Sequence, residues 1–194
     1  MMKIGVLASQ GAFIEHIATL KKLDIEALPV RLPSELKGVD GLILPGGEST
    51  TISKLMDAYD LMQKVAALAR EGLPIFGTCA GMIMMAKEIS GNTTKSLGLM
   101  DITVKRNAFG RQVDSFETEL NIPVLGKASF HAVFIRAPII VHCEKDVEVL
   151  AKLANGNIVA ARQGKMLATS FHPELTDDLR FHQYFLDITK GKRK

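Results

Sequence analysis

The chain has 194 residues, 47% of them hydrophobic and 23% charged, a size and balance suited to one domain, residues 1–194, with a substantial core. A net charge of +3, with basic residues scattered apart from the terminal Gly191-Lys-Arg-Lys194, argues against a nucleic-acid binder. No apolar run approaches the ~20 residues that cross a bilayer, no signal-peptide pattern precedes Lys3, and two cysteines make no disulfide scaffold; a cytoplasmic protein without membrane partners is the expectation.

In chain order, Lys3 to Ala8 is a β-branched apolar run, and Gly11 to Leu23 carries Phe13, Ile14, Ile17, Leu20 and Leu23 at helical spacing. Glu26 to Leu32 and Gly41 to Pro45 read as further strands. Thr51 to Arg70 reads as one long helix with Ile52, Leu55, Met56, Tyr59, Met62, Val65 and Leu68 facing inward. Gly72-Leu-Pro74 ends it, and a strand leads into Cys79, after which Ala80 opens an apolar helix running through Ala86. Strand and helix alternating at these lengths imply an α/β fold, a mostly parallel sheet covered by helices on both faces. From about Gly91 the elements shorten: strands are expected at 97–105, 113–120, 128–136, 139–143, 147–153, 158–163 and 166–170, with Asn155-Gly156 as a hairpin turn. A closing helix spans 176–189, capped by Thr176 or Asp177.

Reactive sites in such sheets collect beyond the carboxyl ends of the parallel strands. Three loops qualify: Ser9-Gln10-Gly11, Pro45 to Thr50, and the turn at Cys79. Gly77 and Gly81 flank Cys79 at two residues on either side, the spacing of a nucleophile elbow, in which small neighbours permit a strained strand-to-helix turn. Taken alone, Cys79 is as readily a packed small apolar side chain, so its chemistry depends on partners elsewhere. Cys143 reads as a packed strand residue.

Among the five histidines, His16, His142 and His182 read as structural, and His131 stands where a strand or loop could enter a site. His172 differs, because Met166 to Glu174 is a strand that ends in His-Pro-Glu. Pro173 stops the pairing and keeps His172 extended, which directs Glu174 to the same side as the imidazole. A carboxylate there would fix the tautomer and stabilise the imidazolium; alone, His-Pro-Glu reads equally as a helix-start turn, and only together with the Cys79 elbow does it point to a Cys79–His172–Glu174 triad. Leu44 to Thr51 is a strand end, two glycines and a polar helix start. Ser49 or Thr50 can cap that helix, and Gly46-Gly47 lets the backbone approach a bound group. Without Gly-Lys-Ser/Thr following, a phosphate loop is disfavoured.

Together these motifs resemble the class I, triad-type glutamine amidotransferases, whose fold is a flavodoxin-like three-layer sandwich. The likeness is closest to the glutaminase subunits of pyridoxal 5′-phosphate synthases, through residues 5–13, 44–51, 77–82, 106–112, 114–117, 134–138 and 169–174. The resemblance implies Cys79 as nucleophile, His172 as general acid/base and Glu174 as its orienter. It implies an oxyanion hole from the N–H groups of Gly47 and Ala80, and L-glutamine held by Gly47, Glu48, Ser49, Arg106, Ile135 and Arg136. No metal or cofactor is implied. The partner it implies is a separate barrel-shaped synthase subunit that takes up the ammonia; the interface with it is expected near Gln10, Glu48 and the Cys79 edge. Two other readings stay open from the residues alone: an elbow-cysteine enzyme of thiol redox or aldehyde scavenging, and a non-catalytic regulatory subunit of the same fold.

Overall fold

The computed structural model describes residues 2–91, 94–109 and 115–192; the expected start of a strand at Val113, part of the 106–117 motifs and the last two residues of the basic tail lie outside these. Parallel strands β1 (Lys3–Leu7), β2 (Glu26–Val30), β3 (Gly41–Leu44), β4 (Ile75–Thr78) and β12 (Met166–Thr169) run side by side in the order β2-β1-β3-β4-β12. The sheet continues antiparallel through β11 (Ile158–Gln163), β9 (Ile139–Cys143) and β6 (Met100–Lys105). It ends on β5 (Ala86–Ile89), parallel to β6, while β10 (Glu148–Lys152) pairs with β11. A separate hairpin joins β7 (Ser115–Leu120) to β8 (Phe130–Ile135).

Side chains alternate along each central strand, as the two-residue pleat period requires. Leu42, Leu44, Ile75 and Ala168 face one core with α2 (Ser49–Ala58), α3 (Leu61–Arg70) and α4 (Ala80–Met85). Ile4, Val6, Ile43, Phe76 and Leu167 face a second core with α1 (Phe13–Lys22), α5 (Arg180–Thr189) and the aromatic inner side of the β7–β8 hairpin. Helices on both faces of a mixed, mostly parallel sheet make the expected flavodoxin-like sandwich. Among the described residues no helix is long and apolar enough to cross a membrane.

Several boundaries depart from the sequence expectation. The long helix over 51–70 is two helices, because Asp60 adopts a left-handed φ of 57° and Tyr59 and Asp60 close the first helix on Leu55 and Asp57. Tyr59 is therefore 51% exposed rather than inward. The helix after Cys79 stops at Met85, and Ala86 begins β5, a strand hidden in sequence behind the continuous apolar run. In α1, Ile14, expected on the inner stripe, is 64% exposed, and His16 is fully buried in its place. The closing helix starts at Arg180, whose N–H is accepted by Asp178; Thr176 instead accepts from the N–H of Asp178.

Candidate active site

At the carboxyl edge of the parallel strands, β4 ends at Thr78 and Cys79 turns the chain into α4. Cys79 sits at φ 49°, ψ −103°, a conformation that costs an L-residue of order 1–3 kcal/mol and persists only where the surroundings enforce it. The glycines explain how. A Cβ on Gly81 would overlap the backbone carbonyl of Leu44, and one on Gly77 would lie 2.6 Å from both the Gly81 carbonyl carbon and Met85 Sδ. The end of β3 and the start of α4 thus meet backbone to backbone, which only the Gly-x-Cys-x-Gly spacing allows. Cys79 is 6% exposed; its N–H donates to the Thr169 carbonyl at 2.8 Å and its Sγ lies 3.8 Å from the Ile135 carbonyl. Ala80 is the first residue of α4, where a helix N–H has no intrahelical acceptor.

Beyond β12 the chain passes through Ser170 and Phe171 to His172, whose N–H donates to the Val133 carbonyl at 2.9 Å. A single 3-10 turn, Pro173–Leu175, then folds Glu174 back so that its Oε1 stands 2.7 Å from His172 Nδ1. The carboxylate reaches the ring through this turn rather than through strand alternation. Glu174 is fully buried in its side chain and the imidazole nearly so. Burial disfavours charge on the ring, but hydrogen bonds to Cys79 and Glu174 and the Glu174 charge outweigh it and raise the pKa to about 10. Burial likewise opposes charge on Glu174, yet the neighbouring His16 and His172 hold its pKa below the usual carboxylate value.

The Gly46-Gly47 turn closes the other side. A Cβ on Gly46 would press into the His172 ring, so this glycine is what lets the loop lie against the imidazole. Gln10 Oε1 accepts the Glu48 N–H at 2.9 Å and the Gly46 carbonyl accepts the Ala12 N–H at 3.0 Å, tying the first and second loops together. Neither Ser49 nor Thr50 caps α2; Glu48 does, its Oε1 accepting the Thr50 N–H at 3.1 Å and its Oε2 the Thr51 N–H at 2.6 Å. Against the desolvation that would raise it, these bonds and that from the Thr51 hydroxyl hold the Glu48 pKa at about 2. Ser49 is buried, with no hydrogen-bond partner for its hydroxyl among the described residues.

Arg106, just past β6, donates from its guanidinium to Glu48 Oε1 at 3.2 Å and to Thr50 Oγ1 at 3.3 Å. With Ile135 and Arg136 it completes a cleft of about 310 Å³ that also exposes Gly47, Glu48, Ser49, Cys79 and His172. Glu174 and Ala80 lie behind this wall, 6% and 1% exposed. All of the sequence-expected site residues therefore converge. Asn107, also lining the cleft, was not anticipated; it and Arg136 share left-handed φ values of 46° and 43°, so strain gathers here, as it does at functional sites.

The histidines divide differently from expectation. His131 stays out of the cleft, half-exposed between Glu119 at 2.9 Å and Glu117 at 2.8 Å on the hairpin, which raise its pKa. His142 is exposed. His16, by contrast, is buried behind Glu174, 3.4 Å from its Oε2, and touches His182. The helical spacing 13, 16, 17, 20 carried that information, since it sets His16 on the same stripe as Phe13, Ile17 and Leu20.

This geometry has close relatives. The chain is 61% identical over 190 residues to the pyridoxal 5′-phosphate synthase subunit PdxT of Herpetosiphon aurantiacus, covering 96% of this chain and 100% of that one. It is 58% identical to the PdxT subunit of Moorella thermoacetica, covering 96% and 99%. A crystal structure of a glutamine amidotransferase superposes with a TM-score of 0.92 at 53% identity, covering 96% of this chain and 98% of that one. The crystal structure of another glutamine amidotransferase, from Thermotoga maritima, shares the fold at 13% identity and a TM-score of 0.64, over 98% and 85% of the two chains. The profile of the SNO glutamine amidotransferase family matches residues 6–190, and with relatives this similar along nearly its whole length, the chain belongs to that family.

Proposed function

We propose that this chain, acting as one domain, is the glutaminase subunit of a pyridoxal 5′-phosphate synthase, hydrolysing L-glutamine and handing the ammonia to a separate barrel-shaped synthase subunit. The observation that carries the reading is the Cys79–His172–Glu174 alignment, with Nδ1 and Oε1 2.7 Å apart, at the floor of a cleft whose wall is the Gly46-Gly47 turn.

Cys79 Sγ attacks the side-chain amide carbon of glutamine while His172 carries the thiol proton. The amide oxygen becomes an oxyanion, received by the N–H groups of Gly47 and Ala80. His172 passes its proton to the amide nitrogen, the C–N bond breaks, and ammonia leaves a glutamyl thioester on Cys79. A water molecule gives a proton to His172 and attacks the thioester, a second oxyanion forms and collapses, and glutamate departs from the regenerated thiol. Glu174 remains a carboxylate throughout, its role being to hold the imidazole and balance its charge. Arg106 and Arg136 provide guanidinium groups suited to the α-carboxylate, and Glu48 an anion suited to the α-ammonium, with Ser49 and Ile135 bounding the rest. Thiol redox or aldehyde-scavenging chemistry does not require the His172–Glu174 pair, so undiminished activity in Glu174→Gln would favour it instead.

The test is ammonia release from glutamine, measured with and without the synthase subunit. Release in the assembled complex is expected; no release in either condition overturns the proposal.

A further inference from the structure

Behind the triad lies a polar cluster that the reaction just described leaves unused. His16 of α1, Thr78 of β4 and His182 of α5 are each 0% exposed, and they meet beneath Glu174. His16 Nδ1 is 2.9 Å from His182 Nε2, and His16 Nε2 is 3.1 Å from Thr78 Oγ1 and 3.4 Å from Glu174 Oε2. Among the described residues, Glu174 Oε2 has no hydrogen bond of its own and His182 Nδ1 has no partner. Three polar side chains drawn from elements far apart in sequence, in an otherwise aliphatic and aromatic core where Phe76 packs against both imidazoles, need a reason to be there.

We propose that His16 and His182 are positioning residues of the active site, a buried imidazole pair that holds Glu174, and through it His172, in its working orientation. The hydrogen-bond pattern selects one tautomer chain. If His182 Nε2–H donates to His16 Nδ1, then His16 Nε2–H faces Thr78 and the Glu174 carboxylate, and His182 Nδ1 is left as a bare lone pair. The reverse arrangement buries an orphan N–H at His182 Nδ1 and sets a lone pair of His16 against a carboxylate oxygen, which is the costlier choice on both counts. Burial keeps both imidazoles neutral; on His16 the Glu174 and Glu15 charges pull the other way, and the His172 charge adds to the effect of burial. The pair therefore acts on the carboxylate as a fixed dipole, not as a second acid. Thr78, the residue before Cys79, links the same cluster to the elbow.

The inference rests on the glutaminase reading, and its test separates the two. In the assembled complex, kcat and KM for glutamine are measured for His16→Leu, His16→Gln, His182→Leu and His182→Gln, with the pH dependence of Cys79 alkylation by iodoacetamide. His16→Leu should lower kcat tenfold or more with KM changed less than twofold, and should move the alkylation profile. His16→Gln, which restores an N–H near the Nε2 position, should recover most of both. If His16→Leu does not fold, the two His182 variants decide, with the glutamine variant expected closer to wild type. Unchanged kcat and profile in a folded leucine variant, or equal losses in leucine and glutamine variants, overturns the proposal. A wild-type complex that releases no ammonia would instead sink the glutaminase reading.

Discussion

Gly46→Ala isolates the geometric claim at the centre of the site. The residue lies outside the left-handed φ region, so a methyl group there brings no strain of that kind, and its nearest contacts are all with the His172 ring. The added Cβ would stand 2.9 Å from Nδ1 and closer still to Cε1, whereas ordinary contact begins at 3.4 Å, so the ring must retreat by about 0.5 Å at Nδ1 and more than twice that at Cε1. That movement acts on the 2.7 Å bond to Glu174 and on the contact with Cys79 together. Misplacing a catalytic group by about 1 Å costs on the order of a hundredfold in rate, or ~2.7 kcal/mol, while crowding a packed site costs stability about 1–3 kcal/mol. Steady-state glutamine hydrolysis by the complex, alongside a denaturant titration, reads both. A folded Gly46→Ala enzyme with wild-type kcat would refute the placement of His172 against this loop.

Glu174→Gln should lower kcat about a hundredfold while leaving the complex assembled, and should move the alkaline limb of the pH–rate profile downward, because the imidazolium loses its buried counter-charge; a pH–rate series checks it. Arg106→Ala should raise KM for glutamine roughly tenfold to a hundredfold with little change in kcat, the loss of a charge-assisted bond of about 1.5–3 kcal/mol, measured by steady-state kinetics. Stability should peak near pH 6.5. Burial lowers the pKa values of His16 and His182 below the unfolded 6.5, so on acidification the unfolded chain takes up protons that the folded one refuses, and stability falls by up to ~2.7 kcal/mol per pH unit. His172, raised to about 10, contributes stability in full below pH 6.5 that is lost as pH climbs toward 10. Denaturant midpoints from pH 5 to 9 test this, and a midpoint that rises toward pH 5 would contradict it.

The sheet and the placement of its reactive edge were legible because they follow from local pattern. Apolar β-branched runs alternating with helical stripes force a parallel arrangement, and the carboxyl ends of β1, β3, β4 and β12 then bring Gln10, Gly46, Cys79 and His172 to one rim. What escaped was decided by tertiary contact or by a single backbone angle. Asp60 breaks a helix that its neighbours continue in pattern, and Ala86 leaves α4 for a strand because β6 is there to receive it. His16 and His182 each lie on an apolar stripe, but nothing local says that two such stripes, on the first and last helices, meet over the carboxylate of Glu174. His131 went the other way: its neighbours suggested a site, and its partners proved to be two exposed carboxylates on its own hairpin.

The central claim is that the thiol held at φ 49° by Gly77 and Gly81 is the group that attacks glutamine. Its most direct measurement is ammonia release by the complex assembled with Cys79→Ala, compared with wild type at equal occupancy of the synthase subunit. The account predicts that release drops to the uncatalysed background while assembly is unaffected; release that persists at the wild-type rate would contradict it.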